Sequence, residues 1–109
     1  MAALENKAGK FIEPSPKFGQ ATLINTQNDM PDNLRMFFPD PPGANSYLVV
    51  TYSRILLYGN HSDQKKGTAL KEFIKWGLSD GQKFAEVLGF ISLPPHIQEL
   101  GIKAVDEIL

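Results

Sequence analysis

The apolar positions of this chain change period along its length. From Gln64 onward they recur at helical spacing: Leu70, Phe73, Ile74, Gly77 and Leu78 fall at i, i+3, i+4, i+7 and i+8 and form one stripe. Lys65, Lys66, Lys71, Glu72 and Lys75 take the other positions, with Trp76 on a flank. Ser79 and Gln82 have capping-box spacing and predict a further helix, carrying Phe84, Ala85, Val87 and Leu88 and ending at Gly89. Phe90–Leu93 leads into Pro94-Pro95, where a last helix starts. Its stripe is Ile97, Leu100, Gly101, Ala104, Val105 and Ile108. The spacing therefore predicts three C-terminal helices.

Before Gln64 the pattern is different. Ser46–Tyr58 is apolar at both parities and rich in β-branched and aromatic residues. It predicts one long central strand covered on both faces, as in the middle of an α/β sheet, with a bend near Thr51, Ser53 and Arg54. Gly59–Asp63 closes it with turn chemistry. Residues 13–45 carry Pro14, Pro16, Pro31, Pro39, Pro41 and Pro42 and read as loop with short elements. Ser15-Pro16 predicts a helix start, and Phe18, Ala21, Leu23 and Ile24 give a short amphipathic helix ending by Asn25–Asn28. Asp29–Asn33 is a turn, and Leu34–Phe38 a short strand.

The inventory is α/β, or α+β in isolation, within one domain or partial domain over 1–109. It has a gap: a strand buried on both faces needs neighbours on both edges, and this chain offers too few. Pairing with another chain or with further segments of a larger domain is expected.

Composition narrows the chemistry. The 109 residues carry 11 basic and 12 acidic side chains, a net charge of −1, which argues against a nucleic-acid binder that works by phosphate neutralisation. Zero cysteines exclude disulfides, thiolate metal sites and a cysteine nucleophile. No run of 18 apolar residues occurs, and Met1–Lys10 lacks the apolar core of a secretory signal.

His61 and His96 have no second ligand at i+3 or i+4 and read as loop histidines, so no metal is expected. Ser46 or Ser53 with a histidine and an aspartate would make a triad on paper, but no G-x-S-x-G elbow is present. Gln64–Thr68 lacks the order of a phosphate loop and reads as a solvated first helical turn, whose N–H groups would attract an anion. Phe73, Trp76, Phe84 and Phe90 are expected to pack in the interior. Asp29, Asp32, Asp40, Asp106 and Glu107 form no acid–base pair by spacing. Neither an enzyme nor a cofactor is expected.

Five fragments in order carry a resemblance: Ala2–Ser15 with Asn6-Lys-Ala-Gly9, Leu34–Gly43, Ser46–Tyr52, Lys66–Trp76, and Gly81-Gln82 with Leu88–Pro94. This succession resembles the C-terminal portion of the periplasmic phosphate-binding proteins of ABC transporters, the cyanobacterial branch in particular. The resemblance implies a partial lobe of a type II periplasmic binding protein, in a family that captures inorganic phosphate and delivers it to a membrane permease. It also implies that the phosphate ligands lie outside this sequence, so no ligand-binding residue is carried over. Leu48, Arg54, Gly77 and Gly101 depart from the family's pattern. The alternative is a stand-alone interaction or self-assembly module on the same scaffold.

Overall fold

A computed structural model describes all residues, Met1–Leu109. The chain opens with a small antiparallel ribbon of β1 (Leu4–Glu5) and β2 (Phe11–Ile12), with Leu4 opposite Ile12 and Glu5 opposite Phe11. Helix α1 (Pro16–Thr26) follows. Ser15 caps it as expected: its hydroxyl accepts from Phe18 N at 3.3 Å, and Pro16 occupies the first turn, where no N–H partner is needed. Helices α2 (Gln64–Leu78) and α3 (Pro95–Asp106) complete the chain at the positions their periodicity predicts.

The two later helices run antiparallel. Lys71 Nζ donates to Ile108 O at 2.8 Å and Lys75 pairs with Asp106, so α2 advances as α3 retreats. Near the end of α2, Leu78 lies over Gly101, where an added Cβ would sit 3.0 Å from a Leu78 methyl. Glycine there brings the helices together. At Gly77 an added Cβ would meet nothing, so that glycine has no packing role.

Three expectations are corrected. The long central strand does not form: Ser46–Tyr58 contains no strand and bends at Leu48, and no backbone group from Leu48 to Tyr58 is hydrogen-bonded within the chain. The physical reason is the one its sequence raised, since no neighbouring strand is supplied. Leu34–Phe38 is also not a strand. Asn33 Oδ1 accepts from Arg35 N at 3.0 Å, and Leu34 sits at φ 57°, which breaks an extended path. The helix expected over 79–88 is only a 3-10 turn, Asp80–Phe84. Gln82 does not reach back to cap it. Its amide donates to Gly77 O at 2.7 Å and accepts from Leu93 N at 2.8 Å, tying α2 to the segment before α3. Gly89 does adopt the left-handed conformation (φ 84°) its position demands.

The result is a three-helix, two-strand α+β arrangement without a closed core. Only 13 of 109 residues are buried, and only five of them are large hydrophobic side chains. These are Ile12 on β2, Leu23 on α1, Met36, and Ile97 and Val105 on α3. Its radius of gyration is 15.8 Å, against about 13 Å for a compact domain of this length.

Candidate functional site

Asn6 is the most connected side chain in the molecule. It is buried in the turn between β1 and β2, where Asn6 N donates to Lys10 O at 2.8 Å and Gly9 takes φ 78°. Its Oδ1 accepts from Ala8 N (3.1 Å) and Lys10 N (3.0 Å). Its Nδ2 faces three carbonyls across the fold: Gly43 (3.3 Å), Ala44 (2.8 Å) and Ser46 (3.4 Å). Two hydrogens shared among three acceptors make a bifurcated clamp.

The loop so held is braced from its other side. Ser46, fully buried, donates its hydroxyl to Pro42 O at 2.6 Å and accepts from Asn25 Nδ2 at 2.9 Å. Thr22 Oγ1 reaches Tyr47 O at 2.8 Å, so α1 and the loop share one polar seam. The buried side chains of this seam, Asn6, Thr22 and Ser46, are bonded to the chain's own backbone, and Ser46 also to the Asn25 amide. It is a framework whose buried side chains hold the 43–47 loop to α1 and to the β1–β2 turn.

The second feature is an open groove of about 360 Å³ between the Met30–Arg35 and Tyr52–Leu57 segments and helices α2 and α3. Thirteen of its 18 lining residues are hydrophobic, among them Leu57, Ile74, Leu78, Ile97 and Ile108. Arg54 sits on its rim, with Nη2 donating to Met36 O at 3.1 Å and the guanidinium 5.2 Å from the Phe37 ring. Tyr52 packs edge-on against Phe38, and its hydroxyl is buried without a partner. Burial therefore raises the Tyr52 phenol above its ordinary value of about 10. With the folded value raised, the folded chain holds this proton more tightly than the unfolded one, so stability falls as pH climbs through and above about 10. Urea midpoints at pH 8 and at about pH 10.5 should show a smaller alkaline loss in Tyr52→Phe than in the parent; equal losses would contradict it.

The sequence candidates are scattered. His61 packs against Gly67 near the C-terminus, its backbone N–H donating to Leu109 O at 3.1 Å, with Nε2 buried and unpartnered. His96 is exposed on α3. Ser46 is buried and committed, Ser53 exposed, and no three acidic or histidine side chains converge as metal ligands. The first turn of α2 does not offer free N–H groups to an anion, because Asp63 Oδ1 accepts from Lys65 N (3.0 Å) and Lys66 N (3.2 Å). Asp106 is paired with Lys75, while Asp29, Asp32, Asp40 and Glu107 are exposed.

The aromatic expectation is also corrected. Phe73, Trp76, Phe84 and Phe90 are exposed; Phe73 stacks on Trp76 on α2, and Trp76 in turn meets Phe84 of the 3-10 turn at a tilt of 37°, each pair at a ring separation of 6.2 Å. No layer in this chain lies over them. Sequence reasoning missed Asn6 as a hub, although Asn6-Lys-Ala-Gly9 between two short apolar pairs is a turn signal.

No family model matches the chain. Curated proteins do. The phosphate-binding protein PstS of Methanocaldococcus jannaschii is 32% identical over 120 aligned positions, covering 99% of this chain and 31% of that protein. This chain is similar, nearly end to end, to one segment of PstS. The proteins of the same name from Pasteurella multocida and Xylella fastidiosa are 28% and 26% identical over 88% and 87% of the chain. The chain spans less than a third of the length of these PstS relatives. Asn6, Gly43 and Ser46 thus lie within a PstS-like sequence, in the fragments that carry the resemblance.

Proposed function

We propose that this chain is the C-terminal, ligand-free framework of a phosphate receptor: part of one lobe of a type II periplasmic binding protein, without catalytic activity. The observation that carries the reading is similarity to the Methanocaldococcus jannaschii PstS across 99% of the chain at 32% identity. Further support comes from the polar seam, where the buried side chains of Asn6, Thr22 and Ser46 are bonded to the chain's own backbone. Inorganic phosphate would then be held by segments outside these 109 residues. In the intact receptor the site of action is the periplasm, and the second partner a membrane permease that receives the phosphate.

Two titrations test this. Isothermal calorimetry of the 109-residue chain with inorganic phosphate should show no stoichiometric binding in the submillimolar range; such binding would overturn the ligand-free reading. A chimaera in which this chain replaces the matching segment of the Methanocaldococcus jannaschii PstS should bind phosphate. A folded chimaera that does not bind would overturn the framework role itself. A second reading, a self-assembling module, is favoured by one observation: the bond-free backbone from Leu48 to Tyr58.

A further inference from the structure

Asp80 and Gly81 stand where α2 has ended and the 3-10 turn begins. Asp80 is exposed and in no ion pair. Other aspartates are occupied: Asp63 accepts from Lys65 N and Lys66 N, and Asp106 pairs with Lys75. An unpaired carboxylate is stable only in water, so the exposure of Asp80 does not depend on what else adjoins the chain. Of all the aspartates and asparagines, only Asp80 is followed by glycine. Packing holds that glycine in place, because an added Cβ would lie 3.1 Å from Trp76 O and 3.2 Å from the Trp76 ring. The chain thus keeps an aspartyl-glycyl pair at its surface for a structural reason.

We propose that Asp80–Gly81 is a site of spontaneous covalent modification, isomerising to isoaspartate and unfastening the link that Gln82 makes between α2 and the segment before α3. The Gly81 nitrogen adds to Cγ of the protonated Asp80 carboxyl. A C–N bond forms, the nitrogen gives up its proton, and the carboxyl hydroxyl leaves as water. The product is a cyclic imide, the succinimide, which water then opens at one carbonyl or the other. Breaking the bond to Cγ restores aspartate. Breaking the bond to the Asp80 backbone carbonyl leaves the main chain running through the side chain. The water lost is regained, and no oxidant or cofactor takes part. Attack brings the nitrogen in against the preceding side chain, and glycine, without a Cβ, hinders this least. Every other aspartate or asparagine precedes a residue with a side chain, and Asp40 precedes Pro41, whose nitrogen carries no proton.

Isoaspartate lengthens the backbone between Ser79 and Gly81 by an extra carbon. Gln82 N donates to Ser79 O at 3.1 Å across that stretch, and the longer path does not close the same turn. The Gln82 side chain is tied on both sides, donating to Gly77 O at 2.7 Å and accepting from Leu93 N at 2.8 Å. Its backbone oxygen also accepts from Ser92 Oγ at 3.4 Å. Moving Gln82 relative to α2 breaks these bonds together. The chemistry belongs to this chain by itself and does not rest on the receptor reading.

Lys75 and Lys83 bracket the site, so trypsin releases it as the peptide Trp76–Lys83. After storage of the folded chain at neutral pH and physiological temperature, that peptide should separate into two species of equal mass. The new species should accept a methyl group from an isoaspartate-specific methyltransferase, and it should be the dominant acceptor in the chain. Asp80→Glu, which would have to close a larger ring, should keep the helical spectrum and lose the signal several-fold. Hydrogen exchange on the stored chain should show protection of the Leu93 amide lost in the modified fraction. Methyl acceptance concentrated at Asn45 or Asn60 overturns the proposal, as does a signal at Asp80 that appears only in urea-unfolded chain. Equal Leu93 protection in the modified and unmodified fractions overturns the unfastening.

Discussion

Replacing Asn6 by alanine should cost about 3 kcal/mol, the largest loss expected from any single side chain here. The truncation strands the Ala8 and Lys10 amides and releases the carbonyls of Gly43, Ala44 and Ser46. The bond to Ser46 O is buried and the others part-buried; a buried polar group left without its partner costs about 1–3 kcal/mol, and a small domain has only about 5–15 kcal/mol in hand. Urea unfolding gives the magnitude, and hydrogen exchange gives the mechanism, because protection of Ala8 and Lys10 should be lost. Asn6→Asp separates the two halves of the hub. It keeps the acceptor for both amides but turns a carboxylate toward three carbonyls, so the turn should survive while the 43–46 loop is released. A loss below about 1 kcal/mol in the alanine variant would show that water replaces these bonds.

Gly43→Val acts on the other side of the same contact and should cost about 3 kcal/mol. Gly43 sits at φ 107°, which a β-branched residue does not adopt without strain. An added Cβ would run into the Asn25 amide and lie 2.9 Å from Ser46 Oγ, breaking the brace that holds the loop to α1. Both substitutions free one loop, so the double variant should lose less than the sum of the singles. Strict additivity by urea unfolding would mean that the hub and the brace stabilise separate things.

Helical periodicity was legible because it is satisfied within each segment. Ser15 marks a helix start by a local bond and Pro16 by its fixed φ, and α1, α2 and α3 formed where the spacing placed them; Asp63, read only as part of a turn, proved to cap α2. Ser46–Tyr58 was equally clear in character, and its lack of partners could be read from the strand inventory. What failed was the inference that character alone makes a strand. Gln82 shows the same limit: its spacing to Ser79 spelled a cap, but the amide found Gly77 and Leu93 instead.

By itself, then, the sequence determined α1, α2 and α3, the left-handed Gly89, the family resemblance and the shortage of strands. These depend on side chains meeting neighbours three or four residues away, or on residue identity alone. Only the tertiary structure decided that Asn6 is the hub, that Phe73, Trp76 and Phe84 face outward, and that an apolar groove stays open between Tyr52–Leu57 and the two later helices. Those outcomes depend on which distant segments arrive, and a strand or a buried ring exists only when something is there to pair with or cover it.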